Sequence, residues 1–116
     1  MSGHIYHITT RTAWSFGKAA GMYRAESLEQ DGFIHCSKAS QILRVANKYY
    51  HGQTDMVILR IDPSQLRAEV RWEQGSDKPE ELFPHIYGPI DRNAVVDIFD
   101  FSPGPDGSYS LPAGIK

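Results

Sequence analysis

Cysteine is nearly absent from this chain. Cys36 stands alone, so no internal disulfide can form, and a lone thiol suits a reducing compartment. Long apolar runs are missing too: no stretch of about 18 apolar residues occurs to cross a bilayer. Met1 to Thr12 holds two histidines and an arginine and does not read as an apolar leader. The expected setting is cytoplasmic, with no membrane as partner. Runs of Lys and Arg are lacking and the net charge is −2, which removes the electrostatic ground for nucleic acid as a partner. No HxH, HxxxH or CxxC pair is present. His35 and Cys36, as strand neighbours, point to opposite faces, so no metal site is expected. There is no internal repeat, no low-complexity segment and no linker.

What is there suffices for one core. With 116 residues, 41% of them apolar and 22% charged, residues 1–116 read as a single domain. His4 to Thr9 alternates and is β-rich, a first strand with Ile5, His7 and Thr9 on one face and Tyr6 and Ile8 on the other. Thr12 offers an N-cap for a short helix, Ala13 to Ala20, ended by Gly21. Tyr23 to Ala25 reads as a short strand, and Ser27 as the cap of a helical turn over Leu28 to Gln30. Residues 38 to 50 form the best helix, with an apolar stripe of Ile42, Leu43, Ala46, Tyr49 and Tyr50 and a stop at Gly52. Met56 to Ile61 is an interior strand and Ala68 to Glu73 a half-exposed one. Gln74 to Glu81 reads as a loop, His85 to Gly88 as a short strand and Val95 to Phe101 as the last. Residues 102–116 hold three prolines and three glycines and read as an irregular surface tail. Some six strands and two or three short helices make an α+β domain with mostly antiparallel pairing.

The densest chemistry lies in Asp31-Gly32-Phe33-Ile34-His35-Cys36-Ser37. Gly32 opens a β-type run, Ser37 closes it, and a helix follows at once. Unpaired N–H groups at such a corner suit a phosphate or another anion. Ser37 reads as an N-cap that also touches a ligand. His7, His35 and His85 each sit at a strand end among apolar residues, where they can converge on one cleft as acid–base groups. At each, a packed or hydrogen-bonded histidine is the alternative. Cys36 is either a nucleophile activated by a helix start and an imidazole, or a small buried hydrophobe. Trp14, Tyr23 and Tyr87 stand at element ends, where a ring can stack on a base or simply pack. No pairing of carboxylates suggests two-carboxylate catalysis.

Several of these residues together resemble a known family. Ile5-Tyr6-His7-Ile8, Gly21 with Tyr23, Ser27-Leu28, Gly32 to Ser37, Gln41 with Ala46-Asn47, and Phe83-Pro84-His85-Ile86-Tyr87-Gly88-Pro89 follow its order over residues 5 to about 100. It is an uncharacterised family of small bacterial and plant proteins, a domain of unknown function. The fold that this resemblance implies is similar to the ADP-ribosyltransferase catalytic core, a split antiparallel β-sheet with an NAD cleft between its halves. By that resemblance His7 matches the first-strand histidine that holds the nicotinamide-side ribose. Ile34 stands where poly-ADP-ribose polymerases have a stacking tyrosine. Pro84 to Gly88 offers His85 or Tyr87 where they carry a catalytic glutamate. The resemblance implies that Tyr23 supplies the ring and His85 the acid or base.

The expectation is therefore a nucleotide-type pocket. His7, His35 and His85 are its catalytic candidates, and Trp14, Tyr23, Ser27, Gly32, Ser37 and Tyr87 its ligand-binding ones. The partner is a nucleotide-like small molecule, NAD entering as a substrate with no resident cofactor. The reaction is transfer of ADP-ribose or a phosphate ester. The alternatives are a non-catalytic nucleotide or anion sensor and an interaction protein with structural histidines. No residue pattern speaks to an oligomeric state.

Overall fold

The run Met56-Val57-Ile58-Leu59 is buried throughout, as only a strand covered on both faces can be. The computed structural model describes residues 3–75 and 80–115. Along these the chain forms β1 (Ile5–Thr10), α1 (Arg11–Ala20), β2 (Met22–Tyr23), α2 (Glu26–Asp31), β3 (Ile34–His35), α3 (Ile42–Tyr49), β4 (Met56–Ile61), β5 (Val70–Gln74), β6 (Leu82–Ile86), β7 (Ile90–Asp91) and β8 (Val95–Phe101). Strands are ordered β1-β4-β8 in one sheet and β3-β6-β5 in another, with β2 and β7 as a two-stranded ribbon. Every named pair is antiparallel. The architecture is mixed α+β, as the sequence indicated.

The alternation of β1 divides the interior in two. Ile5 joins Val57, Leu59 and Ile61 in a first core that meets Ile34, Cys36 and Ile86 of the second sheet. Tyr6 and Ile8 face the other way and pack with Ile58 and Phe101 beneath α3. Each fully buried aliphatic side chain contributes roughly 1.5–3 kcal/mol. No helix among the described residues is long and apolar enough to cross a membrane.

Proline explains how the two sheets are joined. The Cys36 N–H donates to the Pro84 carbonyl at 3.1 Å, but Pro84 has no N–H to return. The β3–β6 ladder stops there, and the chain crosses to the other sheet. Ser37 and Tyr6 then exchange both backbone bonds, at 2.9 and 2.8 Å.

Several boundaries differ from the sequence expectation. Thr10, not Thr12, caps α1: its hydroxyl accepts from the Ala13 N–H at 3.0 Å, while Thr12 donates to Asp55. Ser27 is not a cap either, because α2 starts two residues earlier, at Glu26, with Ala25 at its N-cap. The helix read over 38 to 50 is a 3₁₀ turn, Ala39–Gln41, followed by α3. Lys38 takes the N-cap place that Ser37 was expected to hold, since the backbone of Ser37 belongs to the β1 bridge. Ile42 and Ala46 are buried and Leu43 partly so, but Tyr49 is 50% exposed and Tyr50 packs in its stead. β6 runs through Pro84 instead of starting at His85, and the ribbon strand Ile90–Asp91 had no sequence signal. Of the loop read over Gln74 to Glu81, residues 76–79 lie outside the described residues.

The tail is irregular but not superficial. Tyr109 and Ile115 are buried in the second core, and Tyr109 stacks on Phe101 with ring centroids 4.4 Å apart. Arg60 donates to the Gly114 carbonyl at 2.6 Å, and the Tyr109 hydroxyl lies 2.8 and 2.7 Å from the carbonyls of Tyr50 and Gln53. Segments without helix or strand can still cover a core when apolar anchors hold them.

Candidate active site

β3 and β6 set His35 directly across from His85. The neighbouring Cys36–Pro84 pair is the bonded one, so His35 and His85 form a non-hydrogen-bonded pair, where facing side chains stand closest. Their ring centroids are 5.4 Å apart at 75°. Phe33 stacks on His85 at 4.1 Å and meets His35 edge-on at 4.8 Å. The pair lies on the outer face of the sheet, because Ile34, Cys36 and Ile86 alternate with it into the first core.

Each imidazole is tied to a carboxylate. His85 Nδ1 donates to Glu73 at 2.7 Å, and His35 Nε2 donates to Asp31 at 2.9 Å. The Tyr87 hydroxyl donates to the same Glu73 oxygen at 2.7 Å. These bonds, that from Tyr87 first, hold the Glu73 carboxyl below its usual range, and sharing its proton with Glu73 raises Tyr87. Arg71 lies over the Tyr87 ring at 4.3 Å and donates to Glu69 at 3.1 Å. A carboxylate that fixes one ring nitrogen sets the tautomer and aims the other. His85 Nε2 has no hydrogen bond among the described residues.

His7 is separated from this pair and sits inside the first core. Its Nδ1 donates to the His35 carbonyl at 2.7 Å, and its Nε2 is 2.9 Å from the Tyr23 hydroxyl, which is 2.8 Å from Thr9 Oγ1. A carbonyl can only accept, so Nδ1 carries the hydrogen and Nε2 accepts from Tyr23. Burial pushes His7 down to about 4 and Tyr23 up to about 12, which leaves both neutral. Both nitrogens of His7 are thus used within the fold.

The remaining expected residues are dispersed. Trp14 and Tyr23 are core side chains, ring centroids 6.3 Å apart. Ser27 lies in the first turn of α2, and Gly32 ends that helix at φ +85°, its N–H donating to the Leu28 carbonyl. Cys36 is buried, and burial pushes its thiol up, so it stays protonated and behaves as a small hydrophobe. At the corner itself the N–H groups of Cys36, Ser37 and Lys38 go to Pro84, Tyr6 and the Gln41 side chain. Tyr87 alone of the ligand-binding candidates stands beside the histidine pair. Among the described residues no three His, Cys, Asp or Glu side chains gather to hold a metal ion.

Asp31 and Phe33 lie in the stretch that the sequence singles out, but neither they nor Glu73 and Arg71 were given a role at the site. Asp31 had a signal, four residues before His35. Glu73 had a weaker one, since Arg71 and Glu73 alternate onto one face of a strand, but only the β5–β6 register brings it to His85.

Residues 8–98 match the model of a family described as protein of unknown function (DUF952). The chain belongs to this family. A crystal structure of protein CC0527 from Caulobacter crescentus is 31% identical and superposes with a TM-score of 0.83, covering 93% of this chain and 94% of that one. A solution NMR structure of the same protein gives 31% identity and a TM-score of 0.79, over 94% and 93%. No curated protein matches. The α+β fold is thus shared with solved structures of a small protein, and the family carries no stated activity.

Proposed function

We propose that this family member is an acid–base enzyme acting on a phosphate ester of a nucleotide-like small molecule, with His35 and His85 as its proton-transfer pair. One observation carries the reading: two imidazoles face each other across an antiparallel pair, each fixed by its own carboxylate. Transfer of a phosphoryl group needs a base for the attacking oxygen and an acid for the leaving one. One histidine takes the proton as the new P–O bond forms, and the other, protonated, gives one up as the old P–O bond breaks. Glu73 already accepts from both His85 and Tyr87, so it is poorly placed to meet an oxocarbenium ion, which favours phosphate-ester chemistry over transfer of ADP-ribose. Phe33 and Tyr87 supply ring surface beside the reacting groups.

In this reading the sheets that part at Cys36 and Ser37 are the halves of an ADP-ribosyltransferase-like split core. NAD and ADP-ribose are then the first molecules to offer it, as substrates and not as cofactors. An unpaired single cysteine fits a cytoplasmic setting. A second reading, binding without turnover, is favoured by the exposure of one member of the pair: His85 is buried, but the His35 side chain is 57% exposed and open to water. Two surface hollows, of about 330 and 370 Å³, lie elsewhere.

A thermal-shift series tests the ligand class. NAD or ADP-ribose at 100 times its dissociation constant should stabilise the fold by about 2.7 kcal/mol. His35→Ala should reduce that shift while the variant still melts cooperatively. No shift with either, or a shift that His35→Ala leaves at the parental size, would count against the reading.

A further inference from the structure

The larger hollow, of about 370 Å³, lies where the chain crosses from one sheet to the other, bounded by Tyr6, Lys38, Ser40 and Trp72, with His4 at its rim. Its chemistry differs from that of the histidine face. Among the described residues no acidic side chain lines it, although the chain as a whole carries a net charge of −2. Lys38 is exposed and forms no ion pair among the described residues. Trp72 leaves 47% of its surface open, a large aromatic group lining the same hollow as Lys38. Trp72 pairs with Pro84, whereas Arg71 pairs with His85. Alternation therefore puts the indole on the opposite side of β5 from Glu73 and the histidine pair.

We propose that this hollow is a second ligand site, for a small molecule that joins a flat ring to an anionic group, of the nucleoside monophosphate class. The ring stacks on the Trp72 indole. The phosphate meets the Lys38 ammonium and the Ser40 hydroxyl. Base stacking on an exposed aromatic tolerates any base because every base has a π face, and the lysine selects for charge. A few hundred Å³ is the size that such ligands fill. The site stands apart from the histidine pair, so it binds its ligand without turning it over and does not depend on the function proposed above.

Tryptophan fluorescence of the full chain, titrated with AMP, adenosine and inorganic phosphate, tests this. Trp14 is buried, so quenching reports on Trp72. AMP should quench saturably, with adenosine and phosphate each about tenfold weaker or more. By calorimetry, Trp72→Leu and Lys38→Ala should each weaken AMP binding by roughly fivefold to a hundredfold, the range that stacking on an aromatic side chain gives. Both side chains are exposed, so the variants should fold, and a melting curve checks that they do. His35→Ala should leave the affinity unchanged. The proposal is overturned if millimolar AMP gives no saturable signal, if adenosine binds as well as AMP, if both hollow variants bind like the parent, or if His35→Ala abolishes binding.

Discussion

His7 and His35 are joined by a hydrogen bond from the His7 ring to the His35 carbonyl, Nδ1 to O at 2.7 Å. It ties the first strand of one sheet to the last ladder residue of the other. The carbonyl of His35 points away from β6, toward the open edge of its sheet, so the bond satisfies a buried acceptor that no strand reaches. One histidine is thus a brace for the strand that carries another.

The brace makes stability depend on pH. His7 has its proton affinity pushed down to about 4 by burial, against an ordinary value of 6.5. Above 6.5 neither folded nor unfolded chain holds the extra proton, and this group adds no pH dependence. Between 6.5 and about 4 the unfolded chain binds it and the folded one does not, so stability falls with pH. The loss by pH 4 should be on the order of 3 kcal/mol. Urea melts at pH 7 and pH 4.5 measure it, and His7→Phe should flatten the difference while lowering stability at both.

Removing the His7 ring altogether leaves the His35 carbonyl without its partner and the Tyr23 hydroxyl with Thr9 alone. His7→Ala should therefore destabilise by roughly 2–5 kcal/mol, from the unmet polar groups and the cavity together. A change within about 0.5 kcal/mol in the same melts would show that water replaces the ring at no cost.

The second core offers a paired test. Ile42 is fully buried on α3 and Tyr49 is half exposed. Ile42→Ala should cost roughly 2–5 kcal/mol, while Tyr49→Ala should stay within about 0.5 kcal/mol. Equal losses at the two positions would mean that the helix is rotated from the arrangement described.

The tail should behave as core. Tyr109→Ala removes a ring stacked on Phe101 and a hydroxyl set against two carbonyls, and should cost about 3–5 kcal/mol. Protease sensitivity of residues 102–115 should rise with it. A variant as stable as the parent would return the tail to the surface.

The sequence was most legible where pattern and burial coincide. Met56 to Ile61 reads as interior because every apolar residue in it packs, and Val95 to Phe101 follows from its β-rich run. Ser37 was misread because Ser beside a helical pattern signals a cap, whereas the Pro84 block on the β3–β6 ladder, 47 residues away, hands its backbone to Tyr6. His35 and His85 were visible as candidates, but not their carboxylates, because Glu73 reaches His85 only through the register of β5 on β6. The tail's prolines and glycines predicted its irregular path correctly and concealed the anchors Tyr109 and Ile115.

Glu73 should orient His85. Glu73→Gln keeps the size and places a neutral amide against the imidazole, so the preference for a hydrogen on Nδ1 should weaken. Ring nitrogen NMR would show His85 shifting toward the other tautomer while the melting temperature changes little. An unchanged His85 signal would mean that Tyr87 and Phe33 fix the ring without the carboxylate.

The most direct test of the histidine pair is ³¹P NMR of the protein incubated with NAD, ADP-ribose and 2′,3′-cyclic AMP. The expected result is a new phosphorus signal from at least one of them with the parent, slowed by about 10²–10⁴-fold in His85→Ala and in His35→Ala, the span of general acid–base catalysis. Conversion of none of the three, or conversion at parental rate when both histidines are replaced, would contradict a catalytic role for the pair.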